Sequence, residues 1–430
     1  MVLIKKIHYS SKGLLAYCFF LTMAISVWAV RTPNSTLGSE TLRLVLKIIF
    51  YLLIVIELAL TFLPQRCYKV TAVTVLIAVW PIVYWGYIHA WAFRIESLAL
   101  TSPVIAFLFA LQNDKVKGTV FLLFKKLLVF VSLVGIVCYF AYILKLSIPY
   151  SIEPYYDGRP YQNYVNYFNI SFLYINGTSI RVCGIFNEPG WLGTTIGLML
   201  SYEKFDFKKI SNWVLIIAGL LTYSLAFVII MAVGFVLRNI ENISRWILIA
   251  AFFCFGLFVL PSIHTNNEQI NHLISRLEIT SKGLSGNNRS SSTVDNLLKE
   301  TLTSYKCMFG YGDGYAEYIN SENETKQILT MKTELINFGI LGTFILYIVP
   351  FFLSLCLVHR NKKSLLFLIC FWISLYQRPW LYIVSNYMIL LSTISYINTD
   401  IKPVLKKNNT HLRLDAAIAS IKTETRKAFE

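Results

Sequence analysis

A cation and a carboxylate stand seven positions apart in the stretch Arg181-Val182-Cys183-Gly184-Ile185-Phe186-Asn187-Glu188-Pro189-Gly190-Trp191-Leu192-Gly193. Arginine carries a planar fork of donors that matches phosphate oxygens two at a time, and it cannot lose its proton. Arg289 and Arg378 lie in two further polar segments, beside a glycine or proline turn or the start of an apolar run. Three guanidinium groups meeting in one cavity would hold a diphosphate without any metal. Taken singly, each reads as a surface arginine snorkelling towards water. Glu188 also has a plain role, since Pro189 suits the first turn of a helix and the macrodipole there favours negative charge.

The sequence offers no Asp/Glu/His grouping for a metal and no phosphate-binding or dinucleotide motif. Energy for a reaction at the three arginines would therefore arrive in the substrate, as a lipid-linked activated sugar. Eight cysteines are scattered singly, without C-x-x-C spacing. Most fall in apolar runs; Cys183 and Cys307 do not, and a disulfide between them is one option in an oxidising compartment.

The elements that must position these groups are set by composition. Of 430 residues, 56% are hydrophobic and 14% charged, with a mean hydropathy of +0.58. That excludes an ordinary soluble protein, and runs near the ~20 residues needed to cross a bilayer recur throughout. The net charge of +16 comes without a basic stripe or nucleic-acid motif, and much of it falls in short loops, as the positive-inside rule requires. An all-α polytopic membrane protein follows, with about 12 transmembrane helices.

The first region, 1–146, holds spans near Leu14–Val30, read as uncleaved, and Leu42–Leu63, Val70–Ala90, Ser97–Leu111 and Phe121–Leu146. A tyrosine-rich outer loop fills 147–188, with Tyr155, Tyr156 and Tyr161 among seven tyrosines that form either an interfacial belt or a platform for sugar rings. Central spans occupy 189–260. The run Asn212–Leu237 is expected to break near Thr222-Tyr223-Ser224, which keeps the basic clusters on one side, and a span near Trp246–Leu260 follows. A large outer loop, 261–331, carries two helical stripes: Ile270, Leu273, Ile274, Leu277 and Leu297, Leu298, Leu302, Tyr305, Phe309. Both outer loops are expected to contain amphipathic helices on the membrane or roofing a cavity. Ser290-Ser291-Ser292-Thr293 supplies an N-cap for the second stripe. Gly310-Tyr311-Gly312-Asp313-Gly314 reads as a tight turn bringing backbone close to something, or simply as a helix end and loop. Spans in 332–398 and a cytoplasmic tail, 399–430, close the chain. Glu57 inside the second span is a functional candidate by default, or pairs locally.

The order of these features resembles the Wzy-type O-antigen polymerases and the related O-antigen ligases. The likeness rests on Arg181-x-x-Gly184-x-Phe186-x-Glu188-Pro189, on Arg289 with its following helix and Gly310-Tyr311-Gly312-x-Gly314, on Glu334-Leu335-x-x-x-Gly339-Ile340-Leu341-Gly342, and on Gln377-Arg378-Pro379. It covers roughly the C-terminal three-fifths. The resemblance implies a GT-C-like fold in a bacterial inner membrane, with both termini cytoplasmic and the active site facing the periplasm. It implies transfer of a growing glycan from undecaprenyl pyrophosphate to the next lipid-linked unit, with no metal or cofactor and with a separate chain-length-regulating membrane protein as partner. Arg181 and Arg289 would bind the pyrophosphate, and Arg378 the same site or the acceptor's phosphate. Tyr311 would join the tyrosines of the first loop in binding sugar.

The acceptor hydroxyl needs a base, whose action is typically worth ~10²–10⁴ in rate. The histidine that the ligases place upstream of the glycine-bearing span has no counterpart near Ile328, which favours a polymerase. The order of candidates is Glu188, Glu334, Asp313, with His264 and His272 more distant. The main rival is a lipid-linked glycan flippase or transporter, which would show repeats and helices broken at mid-membrane; no repeat is evident. A classical sugar transferase would want an acidic pair in its first outer loop, where only Glu40 stands.

Overall fold

The computed structural model of the chain describes residues 2–28, 40–62, 71–90, 101–154, 162–177, 179–203, 206–238, 271, 279–280, 283–284, 291–323, 330–358, 362–379, 381 and 383–399. The polypeptide is mostly helical. In order come α1 Val2–Val27, α2 Glu40–Phe62, α3 Ala72–Ala90, α4 Thr101–Ala110 and α5 Asp114–Ile143. After a sheet follow α6 Pro189–Tyr202, α7 Ile210–Leu221 and α8 Leu225–Arg238. Then come α9 Ser292–Thr303, α10 Tyr315–Asn323, α11 Met331–Thr343, α12 Val349–Leu357 and α13 Lys362–Gln377, with α14 at 384–399. Glu40–Phe62, Asp114–Ile143 and Met331–Leu357 are each long and apolar enough to cross a membrane, and five shorter apolar helices accompany them. Leu52, Val55, Leu133 and Val137 are more than half or about half exposed, an outward apolar surface that suits lipid rather than water.

The run at 212–237 is interrupted where anticipated: α7 stops at Leu221, Tyr223 takes a left-handed φ of 46°, and α8 starts at Leu225. Gly193 and Gly197 let α8 lie close on α6, for a Cβ on either would come within 3.0 Å of Ser224 or Ile230 side-chain atoms, the small-residue contact common between membrane helices.

The tyrosine-rich segment corrects the all-α expectation. In place of amphipathic helices it forms a four-stranded antiparallel meander, β1 Ser151–Pro154, β2 Gln162–Tyr167, β3 Ser171–Asn176 and β4 Ser179–Gly184, in the order β1-β2-β3-β4. Aromatic and β-branched residues suit a pleated surface. Phe168 and Asn169, both at positive φ, turn β2 into β3, and Gly177 at φ 57° turns β3 into β4. One face, with Val165, Tyr167, Leu173 and Val182, joins the main core; the other packs Tyr164, Phe172 and Cys183 against Leu46. A short ladder also pairs Ile279–Thr280 (β5) with Gly283–Leu284 (β6).

The segment at 291–323 begins as expected. Ser291 caps α9, accepting from the Val294 N–H at 3.2 Å, and Val294, Leu297 and Ala316 form a small core with Ile336. The anticipated span at 246–260, the stripe at 270–277, Arg289, His264, His272, Tyr155, Tyr156, Tyr161 and the tail after 401 lie outside the described residues.

Candidate functional site

Pro189 opens α6 and Glu188 is its N-cap, but the Glu188 side chain makes no capping hydrogen bond. It turns instead to Arg378, whose Nη2 lies 2.7 Å from Glu188 Oε2. Arg378 is only 7% exposed and Glu188 25%, so the pair spans the boundary between interior and surface. Arg378 Nη1 also donates to Thr194 Oγ1 at 3.4 Å. Gly190 makes room for the guanidinium: a Cβ there would sit 2.3 Å from Nη2. Trp191 Nε1 reaches Asn386 Oδ1 of α14 at 3.4 Å, tying the same helix entrance to the last helix.

Arg181, on β4, serves the neighbouring break. Its Nε donates to the Thr222 carbonyl at 2.8 Å and its Nη2 to the Tyr223 carbonyl at 3.2 Å. These are terminal carbonyls of α7, whose negative dipole end a cation complements. The snorkelling reading of Arg181 is thereby corrected: it holds a turn. That turn packs on Gly193, the residue before Arg378's partner Thr194, so both arginines converge on the first turns of α6. Tyr164 of the sheet donates to the Asn187 carbonyl and fixes the approach to Glu188.

Glu334 lies in α11, 5% exposed. The Tyr347 hydroxyl stands between Glu334 Oε2 (2.9 Å) and the Pro379 carbonyl (2.7 Å). It thus links a candidate carboxylate to the turn that carries Arg378. Tyr347 belongs to a π-helical turn, Phe344–Ile348, a distortion that re-aims one side chain and is frequent at functional sites. Sequence reasoning missed it, because an apolar run gives no sign of a π turn.

The glycine-rich turn finds the close backbone partner expected of it. Gly310, Gly312 and Gly314 all have positive φ. The Tyr311 and Gly312 N–H groups donate to the Ile336 and Asn337 carbonyls at 3.0 and 2.8 Å, and the Leu341 N–H donates to the Met308 carbonyl at 3.0 Å. Gly339 (φ 64°, ψ −169°) opens α11 to receive this segment. A Cβ on Gly310 or Gly339 would come within 2.3–2.5 Å of the opposite backbone. Asp313 and Glu317 of this segment bear electrostatically on Glu334, and Glu317 Oε2 accepts from Asn337 Nδ2 at 3.0 Å. The three candidate carboxylates therefore fall in two places: Glu188 beside Arg378, and Glu334 with Asp313 beside the glycine turn, joined through Tyr347 and Pro379.

Tyr311 stacks on Tyr315, with ring centroids 4.4 Å apart and planes within 10°, beneath the Lys306 ammonium at 5.4 Å. Burial is the first cause holding its hydroxyl above the usual tyrosine range, with Glu300 adding to it. Cys183 and Cys307 are both free thiols, so the disulfide considered above is not formed. Cys183 is fully buried in the sheet, and burial pushes its thiol up. Glu57 of α2 accepts from the Thr22 hydroxyl of α1 at 2.6 Å, across 35 positions rather than locally, and its Oε2 is buried without a hydrogen-bond partner among the described residues.

Comparison of the chain with family models, with curated proteins and with solved structures returned no match.

Proposed function

We propose that the chain polymerises glycan repeat units carried on undecaprenyl pyrophosphate, at the outer face of a bacterial inner membrane. The observation that carries this reading is the convergence of Arg378, Glu188 and the Arg181-held turn on the first two turns of α6. In this reading the bond from the donor's anomeric carbon to the pyrophosphate oxygen breaks, the acceptor hydroxyl oxygen takes its place, and a carboxylate receives that hydroxyl's proton. Arg378 stabilises the departing diphosphate, with Arg181 lending charge from the adjacent turn and Arg289 completing the set. Glu188 is the first choice of base and Glu334 the second, Asp313 third. Tyr155, Tyr156, Tyr161 and Tyr311 offer faces to the sugars. The resemblance of the motifs, a twelve-span topology with cytoplasmic termini, and a chain-length-regulating partner belong to the same reading. The Lys125–Glu203 and Lys209–Glu203 pairs at the far end of α6 support it, since they set basic groups opposite the arginine end, as the positive-inside rule asks.

The test is the banding of surface lipopolysaccharide in a deletion strain that still makes and flips the repeat unit. Complementation with Arg378→Ala, Arg181→Ala or Arg289→Ala is expected to leave single-repeat product; a normal ladder from Arg378→Ala overturns the assignment. Losing one partner of a buried ion pair typically costs ~3–5 kcal/mol, so membrane abundance is measured in parallel and Arg378→Lys serves as the milder variant. His264 and His272 replaced together should leave polymer made.

The rival reading, a lipid-linked glycan transporter, asks for helices broken at mid-membrane, whereas the interruptions here fall between α7 and α8 at Thr222–Ser224 and near one end of the apolar stretch at Gly339. It differs in outcome: loss of transport removes even the single-repeat product.

A further inference from the structure

The turn that follows α9 carries a row of apolar side chains that are about half exposed or more. Leu302 is 46% exposed, Tyr305 86%, Met308 49% and Phe309 48%. Its backbone is not free to wander, because the Met308 carbonyl is bonded to the Leu341 N–H and Gly310 is interlocked with Gly339. That bond fixes the height of the turn along the helix formed by α11 and α12.

The height can be read against the bilayer. The basic residues His359, Arg360, Lys362 and Lys363 follow Leu357 and mark one end of the apolar stretch. From Leu357 back to Ile340 is eighteen residues, about 27 Å at a rise of ~1.5 Å per residue, close to the ~30 Å of hydrocarbon in a bilayer. The apolar thickness therefore ends near Gly339–Leu341, at the level where Met308 is held. Ile340 and Phe344, just inside that level, are themselves 48% and 49% exposed, as lipid-facing side chains are. Lys306, amid the apolar residues, folds over the Tyr305 and Tyr311 rings at 5.3 and 5.4 Å, with its ammonium in reach of a headgroup phosphate.

We propose that Leu302, Tyr305, Met308 and Phe309 insert into the headgroup–acyl boundary of the outer leaflet, an interfacial hook whose partner is the phospholipid surface. Continuity with the lipid-exposed face of the Met331–Leu357 span identifies that occupant. Apolar side chains at this depth, with a lysine at headgroup level, are the composition of an interfacial segment. The hook is independent of the enzymatic reading. It seats the segment bearing Tyr311 and Asp313 at a fixed depth beside any lipid-borne substrate.

The experiment uses the full-length protein in nanodiscs of phosphatidylethanolamine and phosphatidylglycerol. The photoreactive p-benzoylphenylalanine replaces Tyr305 in one preparation, Phe309 in a second and Asn296, exposed on α9, in a third. Tyr305 is so exposed that its replacement should not disturb folding, which a thermal melt in detergent checks. Irradiation followed by mass spectrometry is expected to give phospholipid adducts several-fold more abundant at 305 and 309 than at 296. Adducts mainly to peptides of this chain or of a second copy overturn the proposal, as does an equal lipid yield at all three positions or no adduct at 305 and 309.

Discussion

The two insertions, 151–184 and 291–323, are fastened to the helices by different means. The meander pairs its four strands in its own ladder and adheres mainly through side chains: Val165, Tyr167, Leu173 and Val182 on one face, Tyr164, Phe172 and Cys183 on the other. The segment 291–323 shares a small core with Ile336 of α11 and adds a main-chain dock, three hydrogen bonds threaded through a gap in that helix. An attachment built from many side chains loses strength in increments. One that passes main chain between two glycines in mutual contact is sensitive to a single added methyl at either.

That contrast can be broken experimentally. The largest effect is expected at Gly339→Ala and Gly310→Ala. Each forces a side chain into a positive-φ backbone, glycine-only at Gly339 (φ 64°, ψ −169°), a strain of about 1–3 kcal/mol, and into atoms 2.3–2.5 Å away. The segment should detach as a unit, seen as rapid limited proteolysis between 305 and 325 while the helices stay protected. Unchanged protection would show that the glycines do not hold the dock. Val182→Ala, removing a buried side chain that abuts Gly135, should cost roughly 2 kcal/mol, lowering the thermal midpoint without a new cleavage site. Tyr164→Phe, which deletes the bond to the Asn187 carbonyl, should cost about 1 kcal/mol and, on the proposed function, lower polymer yield more than stability. The smallest test is chemical. Maleimide at neutral pH should label partly exposed Cys307 and spare Cys183, whose thiol burial holds neutral; labelling of both in folded protein would mean that the meander opens readily.

Much of the helical plan was legible because each span is a local property. The apolar runs beginning near Leu42, Val70 and Leu335 match α2, α3 and α11–α12 within a few residues, and the break at Thr222-Tyr223-Ser224 followed from charge placement alone. Gly310-Tyr311-Gly312 announced a close backbone approach without naming Asn337 and Gly339 as its partners. The meander was hidden for a physical reason: both of its faces are covered, so β2 and β3 lack the clean polar–apolar alternation that marks a half-buried strand. Its turn residues, Asn176-Gly177, were the available signal. The use made of Arg181 was not legible, since the Thr222 carbonyl is 41 positions away. Nor was Arg378's partnership with Glu188, which only the folded helices bring about.

The distance along the polypeptide between Glu188 and Arg378, 190 positions, has a consequence for biogenesis. When α6 leaves the insertion machinery, its entrance carries a carboxylate whose counter-charge has not yet been synthesised. The arginine arrives only with the last two helices, so any chain truncated before them keeps that carboxylate at the entrance of α6 without Arg378 and is a natural target for membrane quality control.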